Sequence, residues 1–234
     1  MASNPDKIRV VLVEDEALYR DLLRIVLSEH PRLEVVGTFS DGESALEAVP
    51  ALRPNVAILD IELGGALNGI QVGLLLRQRH PDVGIVLLSS HGEPEFVASL
   101  PQEVISGWSY LLKRSVSDVG ALTRAIEGAA AGFVVLDPQL VAGRRPRSEG
   151  IVSRLTPRQR EILGLIAQGF TNAAIAEKLI LTEKSVENQV NLLYQQLGVN
   201  RPRSALHPRV KAVLLYLQET QLWPREDPLV SQQL

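Results

Sequence analysis

With 234 residues, 45% of them apolar, and no cysteine, the chain can build two ordinary cores and excludes disulfides and thiolate metal sites. No apolar run approaches the roughly 20 residues of a bilayer crossing, and Met1 to Arg9 reads as no signal peptide, so a cytoplasmic protein without a membrane partner is expected. The net charge of −3 conceals a split, with 11 basic against 18 acidic side chains in residues 1–136 but 9 against 4 in residues 151–218, which points to a polyanionic partner for the second part alone.

Strands are expected near 8–13, 33–39, 56–60, 84–88 and 108–112, and amphipathic helices near 17–29, 42–51, 69–79, 93–100 and 117–130. Five alternations of strand and helix predict a doubly wound, five-stranded parallel sheet over residues 1–136. Right-handed crossovers bring its strand C-termini to one edge. Pro138, Gly143, Arg144-Arg145-Pro146-Arg147 and Gly150 mark residues 137–150 as a basic linker. Residues 151–218 read as a small all-α domain. Thr156-Pro157-Arg158-Gln159 has the layout of a capping box with Pro at the first helical position, and Gly169 stops that helix. Thr171 caps a short helix to Leu179, Thr182 a longer one ending at Leu197 before Gly198, and a last helix is expected over 204–218. Residues 219–234, with Pro224 and Pro228, are expected to form a disordered tail.

The apolar runs of the first part end on reactive side chains. Ile8 to Val13 ends on Glu14-Asp15, Val56 to Leu59 on Asp60, Ile85 to Leu88 on Ser89-Ser90, and Tyr110-Leu111-Leu112 on Lys113. Ligand chemistry collects beyond the carboxyl ends of parallel strands, so three carboxylates, a hydroxyl and an amine should meet at one edge. Three close anions repel unless a hard cation joins them or a pKa rises. Mg²⁺ suits such a cluster because it takes a few carboxylates and leaves room for phosphate oxygens. Asp60, on the central strand, is the candidate that attacks phosphorus, with Lys113 neutralising the charge that results. A solvated turn, a helix cap or a surface lysine would account for each group taken singly.

Val13-Glu14-Asp15-Glu16, Leu59-Asp60-Ile61, Leu88-Ser89 and Tyr110-Leu111-Leu112-Lys113 resemble the receiver domain of bacterial two-component response regulators over roughly residues 7–130. The resemblance implies that Asp60 accepts a phosphoryl group from a phosphohistidine of a sensor histidine kinase. It implies further that Asp15 and Asp60 hold Mg²⁺ directly, Glu14 through water and Glu62 through its backbone carbonyl. Ser89 and Tyr110 are then the switch residues and Lys113 the phosphoryl-binding lysine. Two departures from the receiver pattern stand out: the stretch Glu62 to Gly69 is longer than the usual Pro-Gly turn, and the stretch from Ser89 to Lys113 is a little long, so a shifted helix is expected between them. Glu62 and His91 occupy positions that tune phosphate lifetime in receivers, although surface placement explains both.

Val186, Val190, Leu193 and Leu197 form one helical stripe, and Lys184, Glu187, Asn188, Asn191 and Gln195 lie on the opposite side. A polar face with short amides suits the major groove, where Asn and Gln read adenine. With the alanine-rich helix of Asn172-Ala173-Ala174-Ile175-Ala176 before it, the layout is that of a helix-turn-helix, whose bland alternative is a solvated bundle. Leu155 to Leu163, Gly169-Phe170-Thr171-Asn172, Ile175-Ala176, Leu179 and Leu197-Gly198-Val199 resemble the LuxR-type DNA-binding domain over about 152–217. That resemblance implies four helices with 183–197 as recognition helix, binding double-stranded DNA as a dimer. Glu187, Gln189 and Gln196 stand where family members commonly carry basic groups, so phosphate contacts are expected from Arg158, Arg160, Lys184, Arg201 and Arg203.

Both resemblances meet in response regulators of the NarL/FixJ type. The expectation is a regulator of transcription rather than an enzyme, phosphorylated at Asp60, active as a homodimer on DNA, with Mg²⁺ as cofactor. An aspartate-based phosphatase is the enzymatic alternative, although such enzymes carry the nucleophile on the first strand. A receiver that never accepts phosphate is the third reading.

Overall fold

The computed structural model describes residues 7–91, 105–142, 150–200 and 206–220. They fall into two compact units that divide after Gln139. The expected helix at 93–100, the linker residues 143–149, Arg201, Arg203 and residues 221–234 lie outside the described residues.

The first unit runs β1 (Ile8–Val13), α1 (Ala17–Glu29), β2 (Leu33–Phe39), α2 (Gly42–Leu52), β3 (Val56–Asp60), α3 (Gly69–Arg79), β4 (Gly84–Ser89), β5 (Trp108–Leu112), a 3₁₀ turn (Lys113–Ser117), α4 (Val119–Ala130) and β6 (Val135–Leu136). All strand pairs are parallel, in the order β2-β1-β3-β4-β5-β6. The sheet therefore has six strands among the described residues rather than the five expected. The extra one is a two-residue pairing of Val135 and Leu136 with Ser109 and Tyr110. So short a strand carries no periodicity to read.

β3 and β4 are buried along their whole length, because helices cover both faces. Leu23 and Leu27 of α1 join Leu122, Ala125 and Ile126 of α4 in one core with Val10, Leu12, Ile58, Val86 and Leu88. On the other face α3 packs so closely that a Cβ on Gly73 would run into Trp108, Ile85 and Leu59. The strand order reverses between β1 and β3, and the carboxyl ends of those two strands are where such sheets hold ligands.

Asp137 corrects the start of the linker. Its carboxylate is fully buried and accepts from Leu112 N–H (2.8 Å) and Gln139 N–H (2.7 Å). Gln139 in turn bonds Ser115 and Arg114 through its side chain. Residues 137–139 are thus pinned to the end of β5 and belong with the first unit.

The second unit contains α5 (Pro138–Val141, which begins in the first unit), a 3₁₀ turn (Val152–Arg154), α6 (Pro157–Ala167), α7 (Asn172–Leu179), α8 (Glu183–Gln196) and α9 (Pro208–Glu219). Thr156 and Gln159 close a reciprocal capping box, and Thr171 and Thr182 cap α7 and α8. Gly169 and Gly198 take positive φ at 83° and 66° where helices end. The last helix starts at Pro208 with His207 as its cap, later than the expected 204. Among the described residues no helix is long and apolar enough to cross a membrane.

Candidate functional site

The carboxyl ends of β1, β3, β4 and β5 bring Glu14, Asp15, Asp60, Ser89 and Lys113 to one edge of the sheet, as their places in the sequence require. Lys113 Nζ donates to Glu14 Oε1 at 2.9 Å and to Asp60 Oδ2 at 3.0 Å. Asp60 Oδ1 accepts from Glu62 N–H at 3.2 Å, and Asp15 Oδ2 from Gly64 N–H at 3.1 Å. The longer loop after Asp60 therefore folds back over the acids rather than away from them. Gly69, where that loop enters α3, has no room for a side chain: a Cβ there would strike the Asp60 carbonyl.

Burial dominates the electrostatics. Glu14 is fully buried, the Asp60 side chain is 2% exposed and that of Lys113 17%. Removal from water, with Asp60 nearby, pushes the Glu14 carboxyl up from its ordinary value in spite of Lys113. Burial also works against the Lys113 ammonium, but its bonds to Glu14 and Asp60 outweigh this and raise its pKa, so the lysine stays charged.

One carboxylate atom from each of Glu14, Asp15 and Asp60 lies within 4.8 Å of the others. Glu14 Oε2 is buried and, although 2.9 Å from the ammonium, accepts no hydrogen bond. A hard, oxygen-only set of three clustered carboxylates fits a divalent cation of the Mg²⁺ kind. Asp15 is the exposed member.

Ser89 and Tyr110 share an acceptor. Ser89 Oγ and Tyr110 OH each donate to the backbone carbonyl of His91 at 2.8 Å. Tyr110 is already turned inward, with 4% of its surface exposed. His91 Nδ1 lies 2.7 Å from Glu62 Oε1, so the two side chains expected at the surface meet as an exposed pair beside the pocket.

Two side chains that the sequence did not single out hold this edge. Arg20 Nη1 donates to the carbonyls of Glu14 (2.6 Å) and Asp15 (3.2 Å), fixing the turn that presents the acids. Tyr19 donates from its OH to the Lys113 carbonyl (3.2 Å) and places its ring 4.9 Å from the Lys113 ammonium. Burial pushes its phenol up to about 12. An aromatic residue on an amphipathic helix reads as core. Its place one turn beyond the acidic strand end was the available signal.

In the second unit, Val186, Val190, Leu193 and Leu197 are all buried, as their spacing predicts. Lys184, Asn188, Asn191 and Gln195 are exposed on α8, while Glu187 is partly covered and holds Lys184 Nζ at 2.9 Å. Arg158 and Arg160 have donors engaged inside the unit. Arg158 bonds Glu161 (2.7 Å) and the Leu179 carbonyl (3.0 Å), and Arg160 the carbonyls of Leu155 (2.6 Å) and Ser153 (3.2 Å). They tie helices and turns together through these donors.

Residues 10–137 match the family described as response regulator receiver domain, and residues 153–207 the family described as bacterial regulatory proteins, luxR family. The chain is 34% identical over 215 residues to a probable transcriptional regulatory protein NarL of Mycobacterium tuberculosis, covering 90% of this chain and 97% of that protein. It is 33% identical to the nitrate/nitrite response regulator protein NarL of Escherichia coli (93% and 98% covered). To the transcriptional regulatory protein DegU of Brevibacillus brevis it is 30% identical (89% and 95% covered). A solved structure of RcsB dimers bound to DNA shares the fold at a TM-score of 0.51 and 22% identity, over 91% of this chain and 98% of that one. With a receiver domain joined to a LuxR-type DNA-binding domain, the chain belongs to the transcriptional response regulators, a family of DNA-binding proteins rather than enzymes.

Proposed function

We propose that Asp60 is the phosphoacceptor of this response regulator and that a sensor histidine kinase is its donor. The observation that carries this reading is the ammonium of Lys113 set between Asp60 and Glu14 at the point where the strand order reverses. An Asp60 oxygen forms the new P–O bond as the P–N bond of the donor phosphohistidine breaks, and the imidazole leaves with a proton. Lys113 then meets the added charge of about −1.5 to −2. Glu14, Asp15, Asp60 and the Glu62 carbonyl would hold Mg²⁺, which when bound supplies charge neutralisation for the acids and the incoming phosphoryl oxygens.

Ser89 must give up the His91 carbonyl to reach a phosphoryl oxygen, and Tyr110 loses its partner on the same carbonyl once that strand end shifts. Such a shift changes the protein's state only because phosphate binds the two arrangements with different free energies. The outcome is dimerisation and binding of double-stranded DNA in the cytoplasm. α8 faces the major groove through Asn188, Asn191 and Gln195, with Lys184 and Glu187 at its entry, and Arg201 and Arg203 serve phosphates. Domain roles follow: the first unit, which runs to Gln139, receives the signal, residues 151–218 bind DNA, and the segment between them transmits.

One observation favours a second reading. Asp60 is almost sealed from solvent, which suits a receiver that signals by docking alone. DNA affinity before and after treatment with acetyl phosphate and Mg²⁺ separates the two. A gain in wild type that is absent in Asp60→Asn is expected. No gain, or an equal gain in the variant, would leave only the second reading.

A further inference from the structure

We infer that Tyr19 is a positioning residue for Lys113, holding the ammonium over Asp60 by its ring when the carboxylates are otherwise engaged. The inference rests on the phosphoacceptor reading above and deepens it.

Lys113 is gripped at both ends by the same side chain. The Tyr19 hydroxyl donates to its backbone carbonyl at 3.2 Å, and the ring centroid lies 4.9 Å from its Nζ. That distance is within the reach of a cation–π contact. The ring is itself anchored, because Tyr19 packs against the core built from α1, α4 and the sheet. The acceptors of the ammonium, Glu14 and Asp60, are two of the three acids grouped closely enough to share a cation. When their oxygens serve a cation and a phosphoryl group, their hold on Lys113 weakens. Tyr19 is no ligand for either, so its ring is the contact that persists. It keeps a long, flexible side chain aimed at the Asp60 oxygens and lowers the ordering cost of meeting the phosphoryl charge.

The test uses the full chain and beryllofluoride as the phosphoryl mimic, titrated at saturating Mg²⁺, with Mg²⁺ alone titrated in parallel. Tyr19→Leu should weaken beryllofluoride binding by about fivefold, the size of a partly buried cation–π contact. Affinity for Mg²⁺ alone should stay within about twofold of wild type, because Tyr19 is not a ligand. Tyr19→Phe, which keeps the ring, should restore most of the affinity. Tyr19→Met, which fills the space without a π face, should behave as Tyr19→Leu does and serves if the leucine variant folds poorly. In a Lys113→Ala background the Tyr19 substitutions should have no further effect on beryllofluoride. Wild-type affinity in both Tyr19→Leu and Tyr19→Met would overturn the inference alone, and so would an undiminished loss in the Lys113→Ala background. Wild-type protein that takes no beryllofluoride would overturn the phosphoacceptor reading and this inference with it.

Discussion

The two units place their charged chemistry in opposite ways. In the receiver, acids and lysine converge from separate strands, and buried Glu14 and Asp60 answer the Lys113 ammonium inside the protein. In the helical unit, Lys184, Asn188, Asn191 and Gln195 lie along one open face, and their neighbours on α8 are buried only to hold that face outward. A convergent site therefore reveals its chemistry through its own distances and pKa shifts. A single helix face reveals which side chains are offered and nothing of the base sequence they read.

The sharpest way to test that contrast is to remove a charge from each unit. Lys113→Ala leaves Glu14 and Asp60 facing each other without the ammonium, and should destabilise the chelated receiver by about 3–5 kcal/mol. Urea unfolding with and without Mg²⁺ should find much of that loss recovered by the cation. Equal losses in both conditions would mean that the acids share no ion. In the helical unit the buried carboxylate of Glu219 accepts from Ile151 N–H (2.8 Å) and Val152 N–H (2.7 Å). Glu219→Ala strands two amides, at a cost of about 2 kcal/mol or more, and Mg²⁺ should not change it.

A smaller effect of opposite sign is expected at the turn between α7 and α8. Ile180 is 93% exposed and takes φ of 56°, a left-handed conformation that a β-branched residue adopts at a cost. Ile180→Gly should raise the stability of the helical unit by about 1 kcal/mol in thermal melts. Lower stability would show that the side chain has a partner at that turn.

The smallest prediction concerns the caps. Asp41 caps α2, and the hydrogen bond from Ser44 N–H (2.8 Å) holds its carboxyl below the ordinary value of 3.8. A lowered folded pKa gives stability that is present above that ordinary value and lost as pH falls through the folded one. Asp41→Asn keeps the cap and should flatten this part of the acid profile. The three threonine caps of the helical unit do not titrate there, so the contribution belongs to the receiver.

Much of this was legible in the chain. β1, β2, β3 and β5 fall where their apolar runs lie, and the run endings named Glu14, Asp15, Asp60 and Lys113 because strand ends in a parallel sheet have nowhere else to go. What stayed hidden depends on contacts across the fold. β6 exists only through its pairing with β5, and Asp137 is structural only because Leu112 offers it an amide. Tyr19 carried no signal of its own within the amphipathic pattern of α1, and only the fold sets it against the core on one side and Lys113 on the other. The carbonyls that Arg158 and Arg160 bond inside the helical unit cannot be read from composition either.

The account turns on whether Asp60 takes a phosphoryl group in spite of its burial. Intact-mass measurement after incubation with phosphoramidate and Mg²⁺ addresses this directly. Wild-type protein should gain the mass of one phosphoryl group, and Asp60→Asn should gain none. An unmodified wild type, or a variant modified to the same extent, would contradict it.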